Sequence, residues 1–443
     1  MQINANSEHH TSWYQSTTFK FAIIGLLVLL LLIPLGMVKS VIREREETER
    51  QVEREMIQQW GSEQLISGPV LHIPVYTYHL IDKKNTKVKK WLHIMPNDLF
   101  VTGNVEPEIR YRGIYKQVLY NADIKLNGYF EALHKIDIQA DEVDWSNAHV
   151  TIGVSDNRGV KGEFIFKLDD TLIEPESGLI TSDLSSSGVS FKTPLSIAIL
   201  NEKKCFEANL NISGAKSLLF NPVGKKTSVD LTSTWTNPSF FGSFLPVDRN
   251  VDENGFTAKW TITHLNRNFP QHWIGKRFHV DEHQFGVKLY DPVNHYQKSL
   301  RSAKYGILII CLTLLVFLFI ELVKKKEIQI IQYMLVGLAL VLFFSILTAL
   351  REHLGFTWAY LVASLSIISL VTLYSYGMIK DKQQAFWIFI LLSILYAFLF
   401  VLLQLNDFAF LAGNIGLLLA LGAIMKASLK IKTATSSQDS IAE

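Results

Sequence analysis

The chain has 443 residues, of which 48% are hydrophobic and 19% are charged, and its formal net charge is +2. That near-balance excludes nucleic acid or another polyanion as a partner of the whole chain. Its two cysteines, Cys205 in a polar region and Cys311 in an apolar run, exclude a disulfide framework, so the polar region has to fold by burying its own core.

Residues 1–20 are polar and are expected to form a disordered tail on the cytoplasmic side. Phe21 to Val38 carries no charge. At about 1.5 Å per residue it is long enough for a hydrocarbon layer about 30 Å thick. With no water to satisfy its backbone there, it must be helical. The end of the run, Pro34-Leu35-Gly36-Met37-Val38, and the adjoining Lys39 lack an Ala-x-Ala cleavage pattern, so the run reads as an uncleaved anchor.

Val41 to Trp60 is free of Gly and Pro and rich in strong helix formers. Val41, Thr48, Val52 and Met56 make a thin apolar stripe, too short for a sustained coiled coil. A stalk helix lying against its own domain is expected, and a dimerising or signalling helix is the alternative.

The region 39–304 otherwise reads as β structure. Phe256–Thr263, Val150–Val154, Phe164–Leu168 and Val229–Thr232 alternate apolar and polar residues. Turn chemistry separates them at Asp156-Asn157-Arg158-Gly159, Asn221-Pro222-Val223-Gly224 and Asn254-Gly255. One or two antiparallel sandwiches or barrels are expected. Lys83, Lys84, Lys87, Lys89 and Lys90 read as a solvated hairpin tip, and Thr181 to Ser190 as a flexible loop. Tyr290 to Tyr305 reads as a stiff junction leading into the next apolar run.

Five more spanning runs follow: Tyr305–Val323, Ile330–Leu350, Phe356–Ile379, Ala385–Leu403 and Phe408–Met425. The fold class is therefore a membrane protein with six transmembrane α-helices, one N-terminal and five C-terminal, and a large β-rich, sandwich- or barrel-like domain. Lys324-Lys325-Lys326, Lys380 with Lys382, and Lys426, Lys430 and Lys432 follow alternate spans. The excess of Lys and Arg in short cytoplasmic loops puts both termini inside and the large domain in the periplasm. The domain order is a tail at 1–20, an anchor at 21–38, the periplasmic domain at 39–304, a five-helix bundle at 305–425 and a cytoplasmic tail at 426–443.

Motifs for catalysis are missing. There is no Gly-x-Ser-x-Gly elbow, no His-Glu-x-x-His, no Gly-rich phosphate loop and no Cys pair. No enzyme activity, cofactor or metal is expected. Isolated histidines such as His72 and His264 read as core or surface residues. Glu321 lies one turn before a lysine cluster and reads as interfacial. Neutral polar groups within the spans read as helix-to-helix glue.

The densest constellations are loops crowded with aromatics and arginines: Pro238–Pro246, His264–Trp273 and Glu106–Tyr115. Arg110, Arg112, Phe240, Phe241, Arg267 and Trp273 are the expected contact residues of a binding surface. The alternative is that the aromatics pack the core and the arginines answer nearby carboxylates. The partners expected are the lipid bilayer and an envelope component or protein partner outside the membrane. A second reading is a transporter or channel-like protein with a periplasmic receptor domain, which requires a polar cavity among the spans.

At these residues the chain resembles the CreD family of bacterial inner-membrane proteins. The likeness rests on Gly68-Pro69-Val70-Leu71, Gly103–Tyr115, Gly153–Gly159, Phe220-Asn221-Pro222-Val223-Gly224 and Trp235–Pro246. It continues through His264–Trp273, Phe285–Tyr305 and Gln332–Gly337. The resemblance implies an inner-membrane protein of a Gram-negative bacterium, named for envelope integrity and associated with a two-component system and with tolerance to a colicin and to β-lactam stress. It brings no catalytic residues with it.

Overall fold

In a computed structural model of the protein the uncharged runs are helical wherever their residues are described. It describes residues 17–81, 84–133, 136, 138–193, 195, 202–289, 295–324, 328–405, 411–416, 418–419, 421–422 and 425–426. The helices are α1 (Thr17–Trp60), α2 (His295–Lys324), α3 (Ile330–Ile379) and α4 (Lys382–Gln404). All four are long and apolar enough to cross a membrane. From 411 onward every described position is helical, so the expected run Phe408–Met425 lies only partly within the described residues. The tails at 1–16 and 427–443, Lys83, Lys325, Lys326 and the Tyr290–Asn294 part of the junction lie outside them.

Two of the expected spans are merged in α3. Gly355 adopts φ 73° and ψ 168°, outside the helical range. Phe343 and Tyr360 stand 17 positions apart, about 25 Å along a straight helix. Their rings nevertheless meet at 5.4 Å. Helix α3 therefore doubles back at Gly355 into two packed arms, where the sequence places the short Arg351-Glu352-His353 loop. Asp381 caps the next helix by accepting from the Gln383 N–H at 2.9 Å.

The chain divides into two compact units, Arg50–Pro292 and the flanking segments that precede and follow it. In the flanking unit, Leu31 and Leu35 of α1, Leu314 and Phe317 of α2, Leu340 and Phe343 of α3, and Leu392 and Tyr396 of α4 share one apolar core. Polar groups sit at particular points within it. Glu321, expected at an interface, is only 5% exposed. It is ion-paired with Lys20 and accepts from the Tyr333 hydroxyl at 2.6 Å. A carboxylate in such surroundings needs these partners. Arg351 is likewise buried and donates to Ser299 at 2.9 Å.

The Arg50–Pro292 unit starts with β1 (Gln64–Ile81), β2 (Lys84–Ile94), β3 (Asp98–Arg112), β4 (Tyr115–Phe130), β5 (Glu142–Val143) and β6 (His149–Val154). It continues with β7 (Val160–Leu168), β8 (Thr171–Ile173), β9 (Pro175–Ser177), β10 (Gly188–Lys192), β11 (Lys204–Ala215) and β12 (Ser217–Phe220). It ends with β13 (Lys226–Ser233), β14 (Pro238–Gly242), β15 (Asp248–Asp252), β16 (Gly255–Thr263), β17 (His272–Ile274) and β18 (Phe285–Leu289).

One sheet runs in the order β14, β18, β12, β1, β6, β10, β9, with β2 and β5 also pairing to β1 and β17 to β2. The other runs β15, β16, β13, β3, β4, β11, β7, β8. Neighbours are antiparallel except at two seams, β1 with β12 and β3 with β13, which are parallel.

The sheets face each other across a common core. Phe166 of β7 stacks on Phe191 of β10 at 4.5 Å, Trp260 of β16 meets Phe285 of β18 at 5.8 Å, and the Tyr120 hydroxyl of β4 donates to the Ser217 carbonyl at 2.7 Å. The β-rich region is thus a single two-sheet sandwich.

The alternation read in Phe256–Thr263 appears as alternating burial along β16. Strand β6 differs: nearly all of it is buried, because β1 and β10 flank it and both its faces are covered. Pro238–Gly242, expected in a loop, forms the edge strand β14. Gly188–Ser190, expected in the flexible loop, opens β10. The lysine hairpin holds, with Ile81 opposite Lys84 and Lys87, Lys89 and Lys90 exposed.

Candidate functional site

The six expected contact residues go to three places. Arg110 and Arg112, near the tip of the β3–β4 hairpin, hold the last turns of α1. The Arg110 guanidinium lies 3.8 Å above the Trp60 ring and donates twice to Glu108, at 2.9 and 3.2 Å. Arg112 pairs with Glu55 at 2.8 Å. The Trp60 indole N–H donates to the Tyr120 carbonyl, Lys216 pairs with Glu53, and Arg158 donates to the Gln58 carbonyl. The stalk end therefore lies against its own domain, gripped by basic side chains. Arg158 also pairs with Asp156, and together with the Ser62 N–H this holds the Asp156 carboxyl well below the usual carboxylate range against the opposing effect of its burial.

Phe240 is half-buried, with the Phe256 and Trp260 rings each 5.8 Å away. Phe241 stays exposed, with the Lys288 ammonium 3.7 Å from its ring centroid.

Arg267 and Trp273 are corrected by the structure: neither lies at the surface, with exposures of 7% and 5%. Arg267 donates to the carbonyls of Phe269, Val223 and Gly224 and to the Gln271 side chain, and lies 3.9 Å above the Phe269 ring. Burial pushes its guanidinium down to about 10, which leaves it charged at neutral pH. It serves as an internal clamp of the 264–273 segment.

Trp273 packs against His93 at 5.6 Å, which leads to a polar chain that no sequence motif marks. His72 of β1 lies opposite His93 of β2 in the hairpin register. Their Nδ1 atoms are 2.7 Å apart. His72 Nε2 is 2.7 Å from the Thr151 hydroxyl of β6, and His93 Nε2 is 3.1 Å from the Asp183 carboxylate.

One proton per contact satisfies the whole chain. Thr151 donates to His72, His72 to His93, and His93 to Asp183, with both imidazoles neutral. Burial lowers both imidazoles from their ordinary value. The neighbouring His93 and His149 lower His72 further, whereas Asp183 opposes the shift at His93. The same order of donors would activate a nucleophilic hydroxyl in an open cleft, but here the Thr151 side chain lies within the sheet at 6% exposure. The arrangement ties together β1, β2, β6 and the 181–187 loop.

A concave feature of this unit lies elsewhere, between edge strands of the two sheets. A groove of about 730 Å³ separates the free stretch of β7 from β9 and the start of β10. Phe164, Leu172 and Val189 line it together with the carboxylates of Glu163, Glu174 and Glu176. Among the described residues, no group of three or more His, Cys, Asp or Glu side chains is placed to hold a metal ion.

The sequence model of the family described as "Inner membrane protein CreD" matches residues 16–433. The chain belongs to the CreD family. It is 33% identical over 411 residues to the inner membrane protein CreD of Escherichia coli K12, covering 90% of this chain and 89% of that protein. Membership joins the apolar helices in marking this chain as a multi-pass inner-membrane protein in contact with lipid.

Sequence reasoning missed His93, Thr151, Asp183 and the groove. A signal for the histidine pair was present: a hairpin closing between Ile81 and Lys84 puts positions 72 and 93 opposite one another. The groove has no such signal, because it depends on where two long-range sheets stop.

Proposed function

We propose that this CreD-family protein supports envelope integrity without catalysing a reaction, and that its β sandwich lies in the periplasm and binds an envelope component or partner protein there. In this reading α1, α2, the two arms of α3, α4 and the run Phe408–Met425 make six crossings, with both termini in the cytoplasm. The observation that carries it is the insertion of a complete sandwich, Arg50–Pro292, between segments that form an apolar helical unit. The lysines after alternate spans support the orientation. The Leu, Phe and Tyr packing between the helices supports anchoring over transport. The burial of Thr151 supports binding over hydroxyl-based catalysis. Arg110, Arg112 and Phe241 keep exposed surface for such contacts.

Cys205 is a free, exposed thiol in the sandwich and tests this directly. A membrane-impermeant maleimide added to intact spheroplasts should label the protein, and Cys205→Ser should remove that label. Labelling that appears only after lysis would put the sandwich in the cytoplasm and end the proposal.

A further inference from the structure

The edges of the groove carry a second inference, which rests on the binding role just proposed and names the class of partner. Strand β7 pairs with β11 along Val160–Leu168, but β8 covers its other side only at Phe166–Leu168. Among the described residues the stretch 160–165 has no ladder partner on that side, although β9, which follows β8 after Glu174, passes close to β7. The β7–β11 register slips between Asn209 and Asn211, so that Gly162, Glu163 and Phe164 face a single residue of β11. Gly162 takes φ +67° there, and a side-chain carbon at that position would have nothing within 4 Å. Such a bulge bends a strand away from its ladder. Across the groove, β9 is the terminal strand of the other sheet.

The groove is thus bordered on both sides by strand edges. An uncovered edge presents backbone donors and acceptors in the spacing an extended chain needs.

The lining gives the side-chain chemistry. Leu172 is 62% exposed, a large apolar side chain left in water beside Phe164 and Val189. All the charged lining residues are carboxylates: Glu163, Glu174 and Glu176. None of the three has an ion pair among the described residues. Their field favours cations and repels acidic segments.

We infer that the groove between β7 and β9 receives an extended, basic polypeptide segment of a partner protein, one that alternates apolar residues with Lys or Arg and adds as a strand to the free edge of β7. Apolar side chains would settle on Phe164, Leu172 and Val189, and the cations would meet the glutamates.

The test uses the full chain in lipid nanodiscs and a short acetylated, fluorescent peptide of alternating Lys and Val. Anisotropy should show binding that weakens with added salt. Glu163→Lys combined with Glu176→Lys should weaken it about tenfold or more, and Leu172→Ala should weaken it as well. All three positions are exposed, and an unchanged melting curve checks that each variant is folded. A peptide with Glu in place of Lys should not bind, and N-methylation of alternate amides should abolish binding.

Absence of binding, equal binding by the charge-reversed variant, or equal binding of the acidic peptide would overturn the inference. So would equal binding of the N-methylated peptide, since the groove would then read side chains alone. Self-association of the chain that the peptide displaces would identify a second copy as the occupant and would also overturn it. The outcome does not depend on which side of the membrane Cys205 occupies, so its failure is distinguishable from a failure of the proposed topology.

Discussion

The buried imidazoles of His72 and His93 link the stability of the sandwich to acidity. Both are held neutral in the folded protein, with their pKa values below the ordinary 6.5. Below about pH 6.5 the unfolded chain takes up protons that the folded chain refuses, so unfolding is favoured. Each imidazole then removes up to about 1.4 kcal/mol per pH unit until its own folded pKa is reached. Above about pH 6.5 the contribution is complete. The thermal midpoint of the purified protein should therefore fall between about pH 7.5 and about pH 5.5. His72→Gln should flatten part of that slope, whatever its midpoint at neutral pH. Equal slopes in the two proteins would show that the pair takes no part. At this scale the sequence is uneven. The facing histidines follow from one hairpin register, whereas the burial of Arg267 depends on carbonyls supplied by Val223 and Gly224, far away in the chain, and no local pattern announces it.

Among the elements, Leu31 of α1 packs directly over Gly337 of α3. A side-chain carbon placed there would lie 2.1 Å from Leu31 Cδ1. Small residues permit such contacts between helices in lipid. Gly337→Val should cost about 1–3 kcal/mol through overpacking and lower the unfolding midpoint in detergent. Leu31→Ala in the same chain should restore part of the loss. A Gly337→Val protein as stable as the parent would show that the seam is loose.

The helices were legible because a spanning run needs only composition and length. Four of the strands, β6, β7, β13 and β16, were legible from period two. Two misreadings have physical reasons. Pro238 reads as a breaker, yet it begins the edge strand β14, where a missing N–H is tolerated. Gly188 reads as loop chemistry, but its φ of +153° lets the backbone pass close to the Ile152 carbonyl as β10 joins β6.

For the molecule as a whole, the contiguous segment Arg50–Pro292 with its own core is a candidate for independent folding. Expressed alone, it should be soluble and should unfold in one cooperative transition, with fixed aromatic signals in near-ultraviolet circular dichroism. A molten or aggregated product would show that the sandwich depends on the helical unit.

Its two parallel seams carry a consequence for biosynthesis. Gln64 waits for Leu218, and Asp98 waits for Lys226. While the ribosome is still making the middle of the chain, β1 and β3 each lack a neighbour in the finished sheet. Pairing across such separations is slow, and bare strands of this kind invite aggregation. A nascent chain stopped short of residue 217 would leave both strands incomplete, a natural substrate for holding chaperones and quality-control proteases.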